Sequence, residues 1–272
     1  VPGVLDSVDP DEDVLLIGAG LTAIDWALSL ATRGHRGHIH LLSRQGRLPH
    51  VHVPGLSPRP AVLPAPPYTA TGLLAWVREQ VRAAEAAGLD WRQTVDGLRP
   101  HLQGLWRGLS HGERRRFLRH ARPYWEVHRH RMAPEVAGAI GRLRESGQLT
   151  LHAGRVEAYE EGPTGVSVRV RLRGGGHAIV SVARVVNCTG PEADFRKKRH
   201  PLVANLLERG LVRPDALGMG IEVGDDGAVL DAQGAPSTNL FALGPVRKGG
   251  LWETTAVPEL RAQASALAKA LI

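Results

Sequence analysis

The sequence predicts an α/β fold with a parallel sheet, and two observations support this prediction. The apolar segment Val14 to Ile17 leads into Gly18 and Gly20, and an amphipathic segment continues from there through Ala31. A second apolar segment, Ile39 to Leu42, follows after a short polar stretch. The order of strand, glycine turn, helix and strand is typical of a Rossmann-like β-α-β unit.

The glycine turn fits a G-x-G-x-x-A dinucleotide fingerprint. Gly18 permits the tight turn, Gly20 lets the backbone approach a pyrophosphate, and Ala23 lets the helix pack closely on the strand. Leu21 and Thr22 open the helix, so their N–H groups and the positive end of the helix dipole face the phosphates. The alternative is a structural glycine turn in some other α/β protein.

The second strand predicts which nucleotide binds. An NAD site carries Asp or Glu about twenty residues after the glycines, but here the first carboxylate after Asp25 is Glu79. The strand instead ends in Ser43 and Arg44, with Arg47 close behind, and these groups suit a ribose 2′-phosphate. NADPH is therefore the expected cofactor. The alternative is that the basic residues of this region form a solvated face, namely Arg33, Arg36, Arg44 and Arg47.

Length and cysteine content narrow the class of protein. The length of 272 residues is enough for about two domains, and the hydrophobic fraction of 43% is enough for a substantial core. No apolar run approaches the roughly 20 residues of a membrane span, so no membrane partner is expected. The single Cys188 excludes an intrachain disulfide and a C-x-x-C redox pair, and the default location is the cytoplasm.

The chain is basic, with a formal charge of +7 and a pI near 10.3. The basic residues are scattered and match none of the nucleic-acid-binding motifs, so no nucleic-acid partner is expected. Phosphorylated cofactors and an anionic small-molecule substrate account for the charge.

Residues 49–67 are rich in proline and predict a linker or an active-site loop. The hydrophobic period then becomes helical and predicts helices from residue 71 and over residues 93–109, 112–131 and 135–145. Alternating apolar residues predict strands over 149–159, 166–172 and 179–186. Later segments predict a helix over 202–209 after the basic stretch 196–200, a hairpin over 225–231, a strand over 239–243 and a helix over 258–271.

Three features together resemble the flavoproteins with two dinucleotide-binding domains. They are the fingerprint after Val14, the strand that ends in Asn187-Cys-Thr-Gly190, and the closing pattern Asn239-Leu-Phe-Ala-Leu-Gly-Pro245 before a helix. Within that superfamily the chain is similar to a group of bacterial FAD/NAD(P)-binding proteins of uncharacterised or N-oxygenating type. The resemblance implies that the intact protein binds NADPH and FAD.

The resemblance also implies where FAD is contacted. Thr189 and Gly190 would lie where the chain crosses from the NADPH domain to the FAD domain. Gly244 and Pro245, with Thr254 and Thr255 before the last helix, would form the closing wall of the FAD site. Pro245 stands where the wider superfamily has Asp, so the usual contact of that acid with the ribityl chain is not expected.

The sequence contains no second glycine fingerprint for the diphosphate of FAD. We therefore expect the C-terminal part of a longer flavoprotein, with a missing N-terminal FAD-binding segment. The expected organisation is a Rossmann-like NADPH-binding domain over residues 1–59 and 132–190. A helical insertion over 60–131 and the C-terminal part of an FAD-binding domain over 191–272 would complete the chain.

The histidine-rich segment over residues 123–132 is the candidate contact for substrate or nicotinamide, with Trp125, His128 and Arg129 as the candidate substrate contacts. The alternative is a buried aromatic anchor with a solvated basic face. His128 and His130 are two residues apart and point in different directions on a helix, so no metal site is expected. Cys188 is interpreted as a small core residue.

Three functions remain open from the sequence. The first is an NADPH-dependent flavin oxidoreductase that oxygenates a small polar substrate such as an amine. The second is a flavin reductase or electron-transfer flavoprotein, and the third is a nucleotide-binding module without turnover. Because the cofactors would carry the chemistry, no catalytic acid or base is assigned.

Overall fold

The computed structural model describes residues 8–197 and 200–271, so the predicted features at residues 1–7 and 198–199 lie outside the described residues. The chain divides into two compact units. One unit combines residues up to 57 with 122–190, and the other combines 58–121 with the residues from 191 onward. The helices are α1 (Leu21–Thr32), α2 (Ala70–Ala86), α3 (Trp91–Gly97), α4 (Leu102–Gly108), α5 (His111–His120), α6 (Arg122–Arg129), α7 (Pro134–Glu145), α8 (Pro201–Glu208) and α9 (Val257–Leu271).

The first unit contains a sheet of six strands. These strands are β1 (Val14–Ile17), β2 (Ile39–Ser43), β3 (Leu149–Gly162), β4 (Gly165–Leu172), β5 (His177–Val182) and β6 (Arg184–Asn187), in the spatial order β5-β4-β3-β2-β1-β6. β1 pairs in parallel with β2 and β6, and β2 with the start of β3. The predicted α/β class and the parallel pairing of the first two strands are confirmed.

The predicted single strand over residues 179–186 is wrong. β5 ends at Val182 in an antiparallel pair with β4, and β6 begins at Arg184 on the opposite edge of the sheet. The backbone N–H of Ala183 donates to the Asp13 carbonyl at 2.9 Å, at the point where the chain changes edges. The sequence does not mark this point, because no glycine or proline stands between Val182 and Val185.

Apolar side chains cover both faces of the sheet. On one face, Leu16 and Leu41 pack with Ile24 of α1 and Ile140 of α7, and all four are almost fully buried. On the other face, Leu15 and Leu42 pack with alternate valines of β4 and β5. This packing fixes α1 against β1 and β2, and so fixes the turn that joins β1 to α1.

Two predicted helices are each divided in the structure. The segment 93–109 forms α3 and α4, which are separated by a 3₁₀ turn that contains Pro100. The segment 112–131 forms α5 and α6, which are separated at Ala121 just before Pro123. Proline lacks a backbone donor and favours the first turn of a helix, which explains both divisions.

The second unit joins the helical segment to the C-terminal residues. The indole Nε1 of Trp106 donates to the Gly249 carbonyl at 2.8 Å, and Trp106 packs on Trp252 with ring centroids 4.8 Å apart. Arg99 forms an ion pair with Glu259 at 2.8 Å. This division differs from the expected boundaries, because 58–121 share a unit with the residues after 190 and α6 lies in the first unit.

A small antiparallel sheet completes the second unit. β7 (Ala228–Leu230) pairs with β8 (Pro236–Phe241), close to the strand expected over 239–243. Phe195, Val212, Ile221 and Val229 form the apolar core beside it. The predicted helices near 202–209 and 258–271 are observed as α8 and α9.

Candidate functional site

Gly18 lies where the turn after β1 touches both neighbouring strands. Its N–H donates to the Leu42 carbonyl at 2.7 Å, and the Cys188 N–H donates to the Ile17 carbonyl at 2.8 Å. Gly18 has a φ of +117°, and a Cβ at this position would lie 2.8 Å from the Cys188 carbonyl oxygen. Both the backbone conformation and the close approach therefore require glycine.

Gly20 lies in a different environment. It is the N-cap of α1 without a side-chain cap, and a Cβ added there would meet nothing within 4 Å. The N–H groups of Ala23 and Ile24 donate to the Gly20 carbonyl, whereas those of Leu21 and Thr22 have no acceptor among the described residues. The start of α1 thus presents free donors and the positive end of its dipole.

A cavity of about 320 Å³ opens at this turn, entirely within the first unit. Its first wall is the glycine turn with the start of α1, its second is the loop that follows β2, and its third is one face of α6. The lining residues are Ala19, Gly20, Leu21, Thr22, Ser43, Arg44, Gln45, Arg47, Pro49, Pro123, Glu126, Val127 and His130.

The end of β2 and the loop after it contribute a hydroxyl and two guanidinium groups to the cavity. The Ser43 hydroxyl oxygen accepts from the Gly46 N–H at 3.1 Å, which leaves the hydroxyl proton for a ligand. The Arg47 guanidinium lies 4.5 Å from the centre of the Tyr124 ring. Arg44 is exposed and forms no hydrogen bond or ion pair within the described part of the chain, so its donors are available.

The structure separates the arginines that the sequence groups together. Arg36 lies before β2, and its Nε donates to Asp11 at 2.6 Å. This hydrogen bond lowers the pKa of the Asp11 carboxyl and raises the pKa of the Arg36 guanidinium. Arg44 and Arg47 lie beyond the other end of β2, in the lining of the cavity. Arg36 therefore does not share one basic face with Arg44 and Arg47.

The predicted nucleotide contacts fall into two sets. Gly20, Leu21 and Thr22 come together with Ser43, Arg44 and Arg47 around the cavity, and Gly18 holds the turn. Thr189 and Gly190 follow β6 at the same end of the sheet but are not part of the lining. The Thr189 hydroxyl donates to the Asn187 side chain at 2.7 Å, and Gly190 has a φ of +89°.

The predicted substrate contacts do not line this cavity. On the side chain of His128, Nδ1 lies 2.7 Å from the Tyr124 carbonyl oxygen, and the ring packs on His50 with centroids 4.4 Å apart. The indole Nε1 of Trp125 is buried and has no hydrogen-bond partner among the residues that the structure describes. Arg129 is the last residue of α6. A different face of this helix lines the cavity.

The predicted FAD contacts lie in the second unit. Gly244 has a φ of +80°, and its N–H donates to the Gln263 side chain at 2.9 Å. Pro245 is exposed and has no N–H to offer. Thr254 is only 1% exposed, and its hydroxyl has no hydrogen-bond partner within residues 8–197 and 200–271, whereas Thr255 is exposed just before α9.

Other kinds of site find no support in the structure. Burial raises the pKa of the Cys188 thiol to about 11, so the thiol stays protonated and unreactive near neutral pH. Among residues 8–197 and 200–271, no three metal-ligating side chains are grouped to hold an ion. No helix in those residues is long and apolar enough to cross a membrane.

About half of the cavity lining is not among the site residues predicted from the sequence. These residues are Ala19, Gln45, Pro49, Pro123, Glu126, Val127 and His130. Pro123, Glu126 and Val127 share one face of α6, and His130, just after its last residue, continues the spacing i, i+3, i+4 and i+7. That spacing is visible in the sequence. However, nothing in the sequence tells which face of α6 meets a strand end about eighty residues earlier.

Comparison with known proteins shows the fold. No protein family model matches the chain, and no curated protein matches it either. A reduced ornithine hydroxylase from Pseudomonas aeruginosa is a structural neighbour with 17% identity and a TM-score of 0.53, over 97% of this chain and 54% of that one. An ornithine N-hydroxylase from Kutzneria sp. 744, solved with reduced FAD, NADP⁺ and L-ornithine, has 14% identity and a TM-score of 0.56, over 98% and 55%.

A third neighbour is a cadaverine monooxygenase from Erwinia amylovora, solved with FAD. It has 11% identity and a TM-score of 0.54, over 96% of this chain and 51% of that one. The chain therefore spans about half the length of these flavoprotein structures and has their fold over that half.

Proposed function

We propose that the first unit binds NADPH in the cavity at the Gly18–Gly20 turn. The observation that carries this proposal is the uncapped start of α1, where Gly20 leaves open space beside two unpaired N–H groups. A nucleotide diphosphate fits such a cradle because backbone donors and the helix dipole both favour negative charge.

The loop after β2 supports NADPH rather than NADH. Ser43, Arg44 and Arg47 would bind the ribose 2′-phosphate through charge-assisted hydrogen bonds. The residues directly after β2, from Arg44 to Pro49, include no carboxylate to accept a hydrogen bond from a free 2′-hydroxyl. Leu21 and Thr22 would bind the diphosphate from the first wall of the cavity.

We further propose that the whole protein is an NADPH-dependent flavin oxidoreductase of the monooxygenase type, acting on a small polar amine. The fold supports this proposal, since its neighbours include ornithine and cadaverine hydroxylating enzymes. When bound, NADPH and FAD would supply hydride transfer and oxygen activation. In the second unit the buried Thr254 hydroxyl, which lacks a hydrogen-bond partner among the described residues, fits a contact to the flavin, and Gly244, Pro245 and Thr255 are the further proposed contacts.

Two alternatives keep the same cofactor site and differ in chemistry. A flavin reductase would oxidise NADPH without inserting oxygen into a substrate, and a binding module would not oxidise NADPH at all. Measurement of oxygen consumption together with the mass of the amine product separates the three. An oxygenated product supports the monooxygenase, and NADPH oxidation without one contradicts it.

The cofactor proposal is tested by Arg44→Ala. Loss of one charge-assisted phosphate contact costs about 1.5–3 kcal/mol, so we expect the Kd for NADP⁺ to rise about 10- to 150-fold. The Kd for NAD⁺ should change by no more than about twofold, since NAD⁺ lacks the 2′-phosphate. Isothermal titration calorimetry measures both.

Arg36→Ala is the matched control, because Arg36 is also exposed and near β2 but is paired with Asp11 away from the cavity. It should leave both affinities unchanged. Equal losses for NADP⁺ and NAD⁺ in Arg44→Ala would show that Arg44 does not bind the 2′-phosphate.

A further inference from the structure

The face of α6 that lines the cavity combines apolar and ionisable side chains. Pro123, Glu126 and Val127 lie on this face, and His130 follows directly after the last residue of the helix. The helix comes from a part of the chain far from the glycine turn, and none of these four residues belongs to the nucleotide fingerprint.

Glu126 holds His130 in a defined orientation. One carboxylate oxygen of Glu126 lies 3.3 Å from the Arg122 Nε, and the other lies 3.2 Å from the His130 Nε2. A carboxylate can only accept a hydrogen bond, so this contact requires the imidazole proton on Nε2. Nδ1 is then the polar atom that the oriented ring has left for a ligand.

The charges around the cavity favour a second anionic group. Glu126 is the one carboxylate among the lining residues, and each of its oxygens faces a basic group. The amides of Leu21 and Thr22 are available for a diphosphate on the first wall. Arg44, Arg47 and His130 remain on the other two walls, and this set suits a dianionic phosphate monoester.

We propose that His130 is a specificity-determining ligand of the ribose 2′-phosphate, with Glu126 as its positioning residue. This inference rests on the proposed NADPH site and adds a ligand from the third wall to it. With Nε2 directed at Glu126, the Nδ1 edge of the ring would face the phosphate, and a proton on Nδ1 would donate to a phosphate oxygen.

The test compares three ligands on the 272-residue chain: NADP⁺, NAD⁺ and 2′,5′-ADP. For His130→Gln we expect the Kd for NADP⁺ and 2′,5′-ADP to rise about 5- to 20-fold, and the Kd for NAD⁺ to change by no more than about twofold. His52→Gln is the matched control, because His52 is an exposed histidine of the first unit outside the cavity lining. It should leave all three values unchanged.

Glu126→Gln tests the positioning role. Loss of the charged acceptor should weaken NADP⁺ and leave NAD⁺ unchanged, because only the 2′-phosphate depends on His130. If Glu126 merely repelled the phosphate, this variant would bind NADP⁺ more tightly, and that result would overturn its positioning role. Thermal melting of each variant confirms that the fold is kept, and His130→Asn provides a second substitution of the same ring.

The outcomes separate this inference from the proposed function. If the wild-type chain does not bind NADP⁺, both the NADPH site and the role of His130 are overturned. If the wild type binds NADP⁺ and His130→Gln binds it equally well, only the role of His130 is overturned. An equal loss of NADP⁺ and NAD⁺ in that variant would place His130 on the diphosphate and would also overturn the assignment.

Discussion

Gly18 and Gly20 belong to one turn but differ in what surrounds their α-carbons. Gly18 has a positive φ and touches the Cys188 carbonyl, so its lack of a side chain serves folding. Gly20 has a φ of −83°, which any residue adopts, and faces open space in the cavity. Its lack of a side chain therefore serves the ligand and not the fold.

This contrast predicts opposite results for two alanine substitutions. Gly18→Ala should lower the free energy of unfolding by about 1–3 kcal/mol, because of backbone strain and the clash with Cys188. The melting temperature should fall by roughly 2–4 °C for each kcal/mol. Gly20→Ala should leave the melting temperature unchanged and weaken NADP⁺ at least about tenfold, because its methyl group would occupy space needed by the diphosphate. Scanning calorimetry and titration calorimetry measure the two effects.

These roles would be contradicted if Gly20→Ala melted well below the wild type and kept the wild-type affinity for NADP⁺.

Among single residues, the sequence could predict Gly18, Gly20, Ser43 and Arg44, because these residues are close in sequence to the strand ends that position them. It could not predict Glu126 and His130, because they reach the site only through the packing of α6.

The strands show how far periodicity predicts elements. The parallel pairing of β1 with β2 and β6 follows from short apolar runs and a crossover helix, which the sequence displays. The change of sheet edge at Ala183 does not, because no glycine or proline marks the boundary between β5 and β6. Prolines 100 and 123 mark helix divisions that a search for hydrophobic period alone overlooks.

Neighbouring strands also hold a group of histidines. His40 of β2 and His152 of β3 approach to 3.0 Å between ring nitrogens, and His38 packs on His40 with centroids 4.3 Å apart. Burial, with the nearby His38 and His152, lowers the pKa of His40 to about 4. Burial also lowers the pKa of His152.

The chain should therefore lose stability as the pH falls from about 6.5 towards 4. In this range the unfolded histidine binds a proton and the folded His40 does not, so acid favours the unfolded state. Because His40 is only half-buried, solvent screening limits its effect to roughly 1–2 kcal/mol. Urea unfolding at several pH values should show a smaller slope for His40→Gln than for the wild type. His111→Gln, at an exposed position, should keep the wild-type slope.

At the scale of the whole molecule, the two units account for different parts of the proposed chemistry. The first unit contains the complete glycine turn, the loop after β2 and the cavity. The second contains the Gly244–Thr255 region without a glycine fingerprint of its own. The sequence could predict these two roles from its motifs. It could not predict that residues 58–121 pack with the C-terminal residues, because that depends on contacts such as Trp106 with Gly249.

One glycine fingerprint in the sequence predicts one tightly bound dinucleotide. The 272-residue chain should therefore bind NADP⁺ and purify without FAD, because no second phosphate cradle is encoded to hold the FAD diphosphate. The visible absorbance of oxidised flavin checks this after purification and after addition of FAD with desalting. Stoichiometric FAD retained by this chain would contradict the prediction and would require a phosphate cradle of another kind.

The diphosphate of a bound dinucleotide should lie at the start of α1. Titration of the isotope-labelled chain with NADP⁺, followed through its backbone amide resonances, shows which amides the ligand contacts. We expect saturable shifts that are largest at Gly20, Leu21 and Thr22, with a second group at Ser43 and Arg44. Binding of NADP⁺ that leaves the Leu21 and Thr22 amides unshifted, or no saturable binding at all, would contradict it.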